Sequence, residues 1–152
     1  MEFALVFPIL VILIFGIVDF GRAIFIYSVV QDAAREGARY AIVHGSLSQS
    51  IDGRCASGPG ATCDPSGANV AVQSRRYAFG LDSSQLATGA CWGLGCTVSA
   101  DCGTAINGVP ATNSPLTPVK VATCYNFRTI VGSLLPIVPI RLRAEATLTI
   151  NH

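Results

Sequence analysis

Residues 2–22 read EFALVFPILVILIFGIVDFGR, and the sixteen residues from Phe3 to Val18 pass without one charge. A helix that is apolar on every side belongs in lipid or among other helices. At ~1.5 Å per residue the run reaches roughly 24 Å, short of a ~30 Å hydrocarbon core. Apolar character resumes in AIFIYSVV (23–30), so a full span must accommodate Asp19 and Arg22, which lie three residues apart on one face and can pair. Exposing these side chains to water costs ~2 kcal/mol for each large one, on the order of 20–30 kcal/mol as an upper bound. An ordinary domain has only ~5–15 kcal/mol of net stability. A water-soluble monomer is excluded on magnitude.

Outward from this run the helix changes character. In QDAAREGARYA (31–41) Ala33, Gly37 and Ala41 recur every four residues, as do Ala34 and Ala38. Such stripes let another backbone come close, either that of the chain's own head or that of a neighbouring subunit. Asp32–Arg35 and Glu36–Arg39 are spaced for i,i+3 pairs on the wetter side, and Gly45 is the expected stop. Pro8 removes one backbone hydrogen bond and is expected to kink or locally melt the helix; Pro8 and Gly16 are either weak points that ease extraction from a bilayer or the ordinary Pro and Gly that membrane helices tolerate. The expected division is a helix over 1–45, with a hydrophobic tail (1–30) and an amphipathic half (31–45), followed by a globular head over 46–152.

The head differs sharply in composition. The whole chain of 152 residues is 51% hydrophobic and 12% charged, with a net charge of +1, which gives no electrostatic footprint for nucleic acid. Six cysteines, Cys55, Cys63, Cys91, Cys96, Cys102 and Cys124, all lie beyond the helix in Gly/Ser/Pro-rich sequence. An even count in that setting reads as disulfides formed in an oxidising compartment. Six cysteines pair in 15 ways, and only the local closure Cys55–Cys63 stands out. Orientation needs one further step. Arg22, Arg35 and Arg39 follow the apolar run and no basic residue precedes it, which by charge alone would put the head in the cytoplasm. A basic leader ahead of Met1, removed on maturation, reconciles the two signals.

Catalytic chemistry finds little footing. His44 and His152 are the two histidines, and the cysteine spacings lack the C-x2-C of zinc and thiol-redox motifs. GLGCTVSADCG (93–103) lacks the G-K-[ST] ending of a phosphate loop. No enzyme activity, metal or cofactor is expected, and a thiol-redox enzyme ranks last among the readings.

The head's own pattern is mixed. SLSQSIDGRCASGPGATCDPSG (46–67) is a loop, and ANVAVQSRRYAF (68–79) a short helix with Val70 or Ala71, Ser74, Tyr77 and Ala78 inward. CTVSA (96–100) is a short strand and 101–118 is turn-rich. In VKVATCYNF (119–127) and RLRAEATLTIN (141–151) apolar residues alternate with period two, which predicts two half-buried antiparallel strands. The connector RTIVGSLLPIVPI (128–140) is unusually apolar, and Pro136 and Pro139 forbid a regular helix through its end. The fold class is α+β: a long N-terminal helix packed on a small antiparallel sheet with disulfide-stapled loops.

EFALVFPILVILIFGIVDFGRA followed by DAAREGARYA resembles the TadE-like proteins, pilin-like subunits of tight-adherence (Tad) pilus systems. The resemblance covers 2–43, extends to the strand, Pro-containing connector and final strand of 119–150, and is absent over 46–118. It implies a type IV pilin-like protein. A prepilin peptidase removes a leader, the helix rests in the cytoplasmic membrane, and the pilus assembly machinery then draws it into an extracellular filament for surface attachment. A glutamate near the mature N-terminus of that family corresponds to Glu2, although mature members carry a few more residues before it. A carboxylate at a buried helix tip is tolerated by the free N–H groups and dipole there, and the resemblance implies that it pairs with the α-amine of an adjacent subunit. Glu2, Phe3, Phe7, Pro8, Phe15, Gly16, Asp19 and Arg22 are the expected subunit-assembly residues, and Ala33, Ala34, Gly37, Ala38 and Ala41 the helix-packing ones. The expected partners are copies of the same chain in a helical homo-oligomer, with no nucleic acid. The alternatives are a minor pseudopilin that primes another pilin's filament and a single-pass membrane-anchored binding module.

Overall fold

The computed structural model describes residues 2–44, 68–103, 105–106, 114–130, 132 and 139–151. The expected Cys55–Cys63 closure, the Gly45 stop and most of the apolar connector lie outside these residues. Helix α1 runs from Glu2 to Val43 and is about 63 Å long at ~1.5 Å per residue. It is helical straight through Pro8, so the local melting expected there is not seen. Proline removes one N–H, and the remaining turns of a 42-residue helix continue on either side.

Helix α2 (Ala68–Tyr77) is followed by a 3-10 turn (Ser83–Gln85) and strands β1 (Leu86–Trp92), β2 (Thr97–Val98), β3 (Ala105–Ile106), β4 (Pro118–Phe127) and β5 (Ile140–Thr149). β4 and β5 are antiparallel partners as the alternation predicted, with Val121 opposite Ala146. Strand β1 was not expected. LATGACW (86–92) offers two alanines, a glycine and a threonine, too little apolar alternation to read as a strand. It pairs antiparallel with β4, so the sheet order is β1-β4-β5.

That order corrects the expectation of two half-buried strands. β4 is central and covered on both faces. Towards α1 it presents Val119, Val121, Thr123 and Phe127, all buried. Away from α1, Ala122 and Cys124 are buried beneath Cys91, Cys96, Val98 and Cys102. The β2–β3 hairpin and its flanking turns cap this outer face.

Two core clusters sit under α1. At the base of the sheet, where α1 enters the head, Ile26, Val30 and Ala34 pack with Leu86, Phe127 and Ala144. Higher up, Ala38 and Ala41 pack with Val70, Trp92, Val119 and Ile150. Apolar packing on the head therefore begins at Ala23 and Ile26, inside the segment expected as hydrophobic tail. On α2, Val70 and Ser74 are buried with Ala78 just beyond, but Tyr77, expected inward, is exposed. The helix ends at Tyr77, and its side chain leaves the inner face.

Candidate assembly surface

The expected site residues separate into three groups. The first is the free tail. Fourteen large apolar side chains between Phe3 and Phe25 are 36–79% exposed, among them Phe3, Phe7 and Phe15. Phe3 and Phe7, one turn apart, bring their rings together in a tilted arrangement with centroids 6.0 Å from each other. A Cβ added at Gly16 or Gly21 would meet nothing within 4 Å. Pro8 is likewise exposed. With about half of each side chain's ~2 kcal/mol at stake, removing this face from water is worth on the order of 10–20 kcal/mol. The helix is long and apolar enough to cross a membrane, and only 11% of its most apolar window is buried within the chain. Glu2 opens the helix.

The second group is Asp19 and Arg22. Asp19 is 6% exposed although it interrupts an apolar run. Its Oδ1 accepts a hydrogen bond from the Ile130 backbone N–H at 3.0 Å, 111 residues away in sequence. Arg22 Nη1 lies 3.4 Å from the same oxygen, and its guanidinium sits 5.5 Å from the Phe127 ring centroid. The Asp19–Arg22 pair expected from spacing is present, and it is used within the chain to fasten the start of the connector to the helix. This explains how an acid is tolerated there: its charge is held by an N–H donor and a cation. Asp19→Ala is expected to deprive Ile130 of this acceptor and to cost about 1–3 kcal/mol, whereas Asp19→Asn keeps an acceptor oxygen and costs less. Hydrogen exchange of the peptide containing Ile130, with the full chain in micelles, reads the difference. Equal protection in all three proteins rules the fastening out.

The third group is the small-residue stripe. Ala33, Ala34, Ala38 and Ala41 are at most 1% exposed. A Cβ on Gly37 would lie 2.3 Å from Ser74 Oγ and 3.2 Å from Val121 Cγ1. Of the two packing partners left open by the sequence, the chain's own head takes the whole stripe. Its wet flank carries the expected pairs Arg35–Asp32 at 3.5 Å and Arg39–Glu36 at 2.9 Å. Both pairs are solvent-exposed and contribute little.

The described disulfides join Cys91 to Cys96 and Cys102 to Cys124. They tie the outer cap to β1 and to the central strand. Arg143 on β5 completes the attachment by donating to the Ser99 carbonyl at 2.9 Å and the Val98 carbonyl at 3.0 Å, with Glu145 against its guanidinium. Asp101 accepts from the Ser99 hydroxyl and from the Gly103 N–H, and these bonds hold its carboxyl below the usual carboxylate range. Asp82 caps the 3-10 turn through the Ser84 N–H, which lowers its carboxyl in the same way. Gly89 on β1 lies against this cap, where an added Cβ would meet Val98 and the Cys102 carbonyl. Neither Arg143 nor Gly89 was legible in the sequence, because nothing in RLRAE or TGA marks a contact with a loop more than forty or about ten residues away. Among the described residues no cluster of His, Cys, Asp and Glu could hold a metal ion.

The comparison with known families falls on the free tail and the helix that carries it: residues 1–39 match the family described as TadE-like protein. Over its N-terminal helix the chain is similar to TadE-like proteins. The family name ties the TadE-like helix to the Tad pilus. No curated protein and no solved structure matches the chain. The matched segment ends within the small-residue stripe, so the TadE-like portion holds the tail, the Asp19–Arg22 pair and the residues that seat the helix on the head.

Proposed function

We propose that this TadE-like protein is a structural, pilin-like subunit that packs its N-terminal helix among copies of itself in an extracellular Tad-type filament used for surface attachment. The observation that carries this reading is the free tail: a helix with apolar side chains on all sides, continuous with the stretch that packs on the folded head. The value of removing that face from water, on the order of 10–20 kcal/mol, equals or exceeds the stability of an ordinary domain. A bilayer satisfies it before assembly and a helix bundle satisfies it afterwards. The small-residue stripe is spent inside the head, so contacts between subunits fall to the tail and to the outer surface. Prepilin peptidase and the pilus assembly machinery are the partners this reading requires.

Glu2 is the register device. In a dry bundle its carboxylate needs a cation, and the α-amine of a neighbouring subunit supplies one; any other axial alignment leaves a charge buried and unpaired. Glu2→Ala is expected to leave a membrane-inserted chain that no longer forms fibres. Negative-stain microscopy of sheared cell fractions checks this, together with the abundance of the chain in the fibres. Normal fibres from the variant would sink the register role. Bare cells that keep all of the protein in the membrane would sink filament formation itself, and a trace amount in fibres built from another protein would make it a minor pseudopilin.

A further inference from the structure

We propose that the base of the head carries a phosphate-binding cleft, framed by Arg22, Arg128 and Arg141, that holds a phospholipid headgroup while the tail is in the bilayer. This rests on the membrane-inserted stage of the reading above and not on filament formation.

Two adjoining clefts open at the end of the sheet where β1 begins, β4 ends and β5 begins. One, of ≈ 210 Å³, is lined by Arg22, Asp82, Tyr125 and Phe127. The other, of ≈ 570 Å³, is lined by Ala100, Pro139 and Arg141. Gln85, Asn126 and Arg128 belong to both. Arg22 and Arg141 thus stand on either side of a shared wall formed by Arg128, Gln85 and Asn126. Among the described residues neither Arg128 nor Arg141 enters an ion pair. Arg141 Nε donates to Asn126 Oδ1 at 3.3 Å and its Nη1 to the Ala100 carbonyl at 3.4 Å, which fixes the guanidinium at the cleft wall.

The level of the cleft matches a headgroup. Phe127 and Leu86 pack on Ile26, whereas Val119 and Ile150 pack farther along, near Ala38 and Ala41. This end of the sheet therefore faces the free tail. From Phe3 to Phe20 the tail extends about 27 Å at ~1.5 Å per residue, close to the ~30 Å of a hydrocarbon core. Exposed Ile24 and Phe25 continue the apolar surface alongside the cleft. The arginines then stand where lipid phosphates lie.

The surrounding charges decide the mode of recognition. Asp19 holds Arg22, Asp82 lines the smaller cleft, and Asp101 lies near enough to Arg141 to feel its charge. Three carboxylates balance three arginines, so no long-range field draws an anionic surface. What remains is short-range donor geometry, for which a guanidinium meeting a phosphodiester oxygen pair is the strong case.

Native mass spectrometry of the full chain, extracted in mild detergent and offered phosphatidylethanolamine or a diacylglycerol with the same acyl chains, tests the cleft. One retained phospholipid per chain is expected, preferred about tenfold over diacylglycerol, as charged hydrogen bonds of this kind provide. Arg128→Gln should lower retention several-fold and Arg128→Lys should keep most of it. Arg75→Gln, on the exposed side of α2, should change nothing. Arg128 is exposed and makes no structural bond among the described residues, so its variants are expected to fold. Equal retention of the two lipids, or no loss in Arg128→Gln, overturns the proposal. Displacement of the lipid by millimolar inorganic phosphate also overturns it, in favour of a free anion. Fibre loss in Arg128→Gln with unchanged lipid retention assigns the cleft to a neighbouring subunit's carboxylate instead. Co-flotation with vesicles separates the two levels. A chain that floats yet ignores the phosphate loses the cleft alone, and one that does not float loses membrane insertion as well.

Discussion

Gly89→Ala is expected to destabilise the head by about 3 kcal/mol, at the upper end of what one added methyl costs in a filled core. A Cβ at Gly89 would stand 2.7 Å from Val98 Cγ1 and 2.8 Å from the Cys102 carbonyl oxygen. Val98 can turn, but the Cys102 carbonyl is backbone, and its loop is fixed to β4 by Cys102–Cys124 and to β5 by Arg143. The strand cannot retreat either, since Gly89 sits midway along β1, paired opposite Ala122 of the central strand. For a head of roughly 100 residues this should lower the melting temperature by about 10–20 °C. Gly21→Ala is the control: its Cβ meets nothing within 4 Å, and helix propensity favours alanine there by up to ~1 kcal/mol. Near-ultraviolet circular dichroism melts of the full chain in micelles give both values. If Gly89→Ala melts like the parent, the cap is not seated as described.

Loss of the Cys102–Cys124 bridge should cost about 3 kcal/mol, and loss of Cys91–Cys96 about 2 kcal/mol, because the closed segments span 22 and 5 residues. The order matters more than either value. It follows from the chain freedom that each bridge removes from the unfolded state, and both pairs are tested as double alanine variants. A second outcome couples the two predictions. Without Cys102–Cys124 the loop can lift, so Gly89→Ala should cost less in that background than in the parent, a difference that a double-mutant cycle isolates. Additive losses would show that the bridge does not hold the loop on Gly89. A reversed order of the two bridges would show that strain or the lost buried sulfur outweighs loop closure.

The same contrast explains what was legible in the sequence. The tail, the full extent of α1, the short second helix and the pairing of β4 with β5 each rest on a local period or on an unbroken apolar run. Strand β1 was not legible, because LATGACW is made of small residues that a strand can use only when a larger neighbour covers it. Here Gly89 and Ala87 are small because the disulfide-bound cap lies directly on them, and the cap appears in the sequence only as turns. The stripe from Ala33 to Ala41 announced a close approach without saying to what. Its partner is set by Ser74 and Val121, far away along the chain.

Sequence alone determined that this protein has a helix too apolar for water, a head whose even cysteine count calls for disulfides and an N-terminus similar to TadE-like proteins. Those properties depend on residue type and near-neighbour spacing, which folding does not alter. Tertiary structure alone decided that Asp19 is held by Ile130, that the small-residue stripe is consumed within the head, which described cysteines pair, and that Arg22, Arg128 and Arg141 line two adjoining clefts that share Arg128. Each of these joins groups well separated along the chain, and such meetings are fixed by how the sheet is ordered and where α1 crosses it.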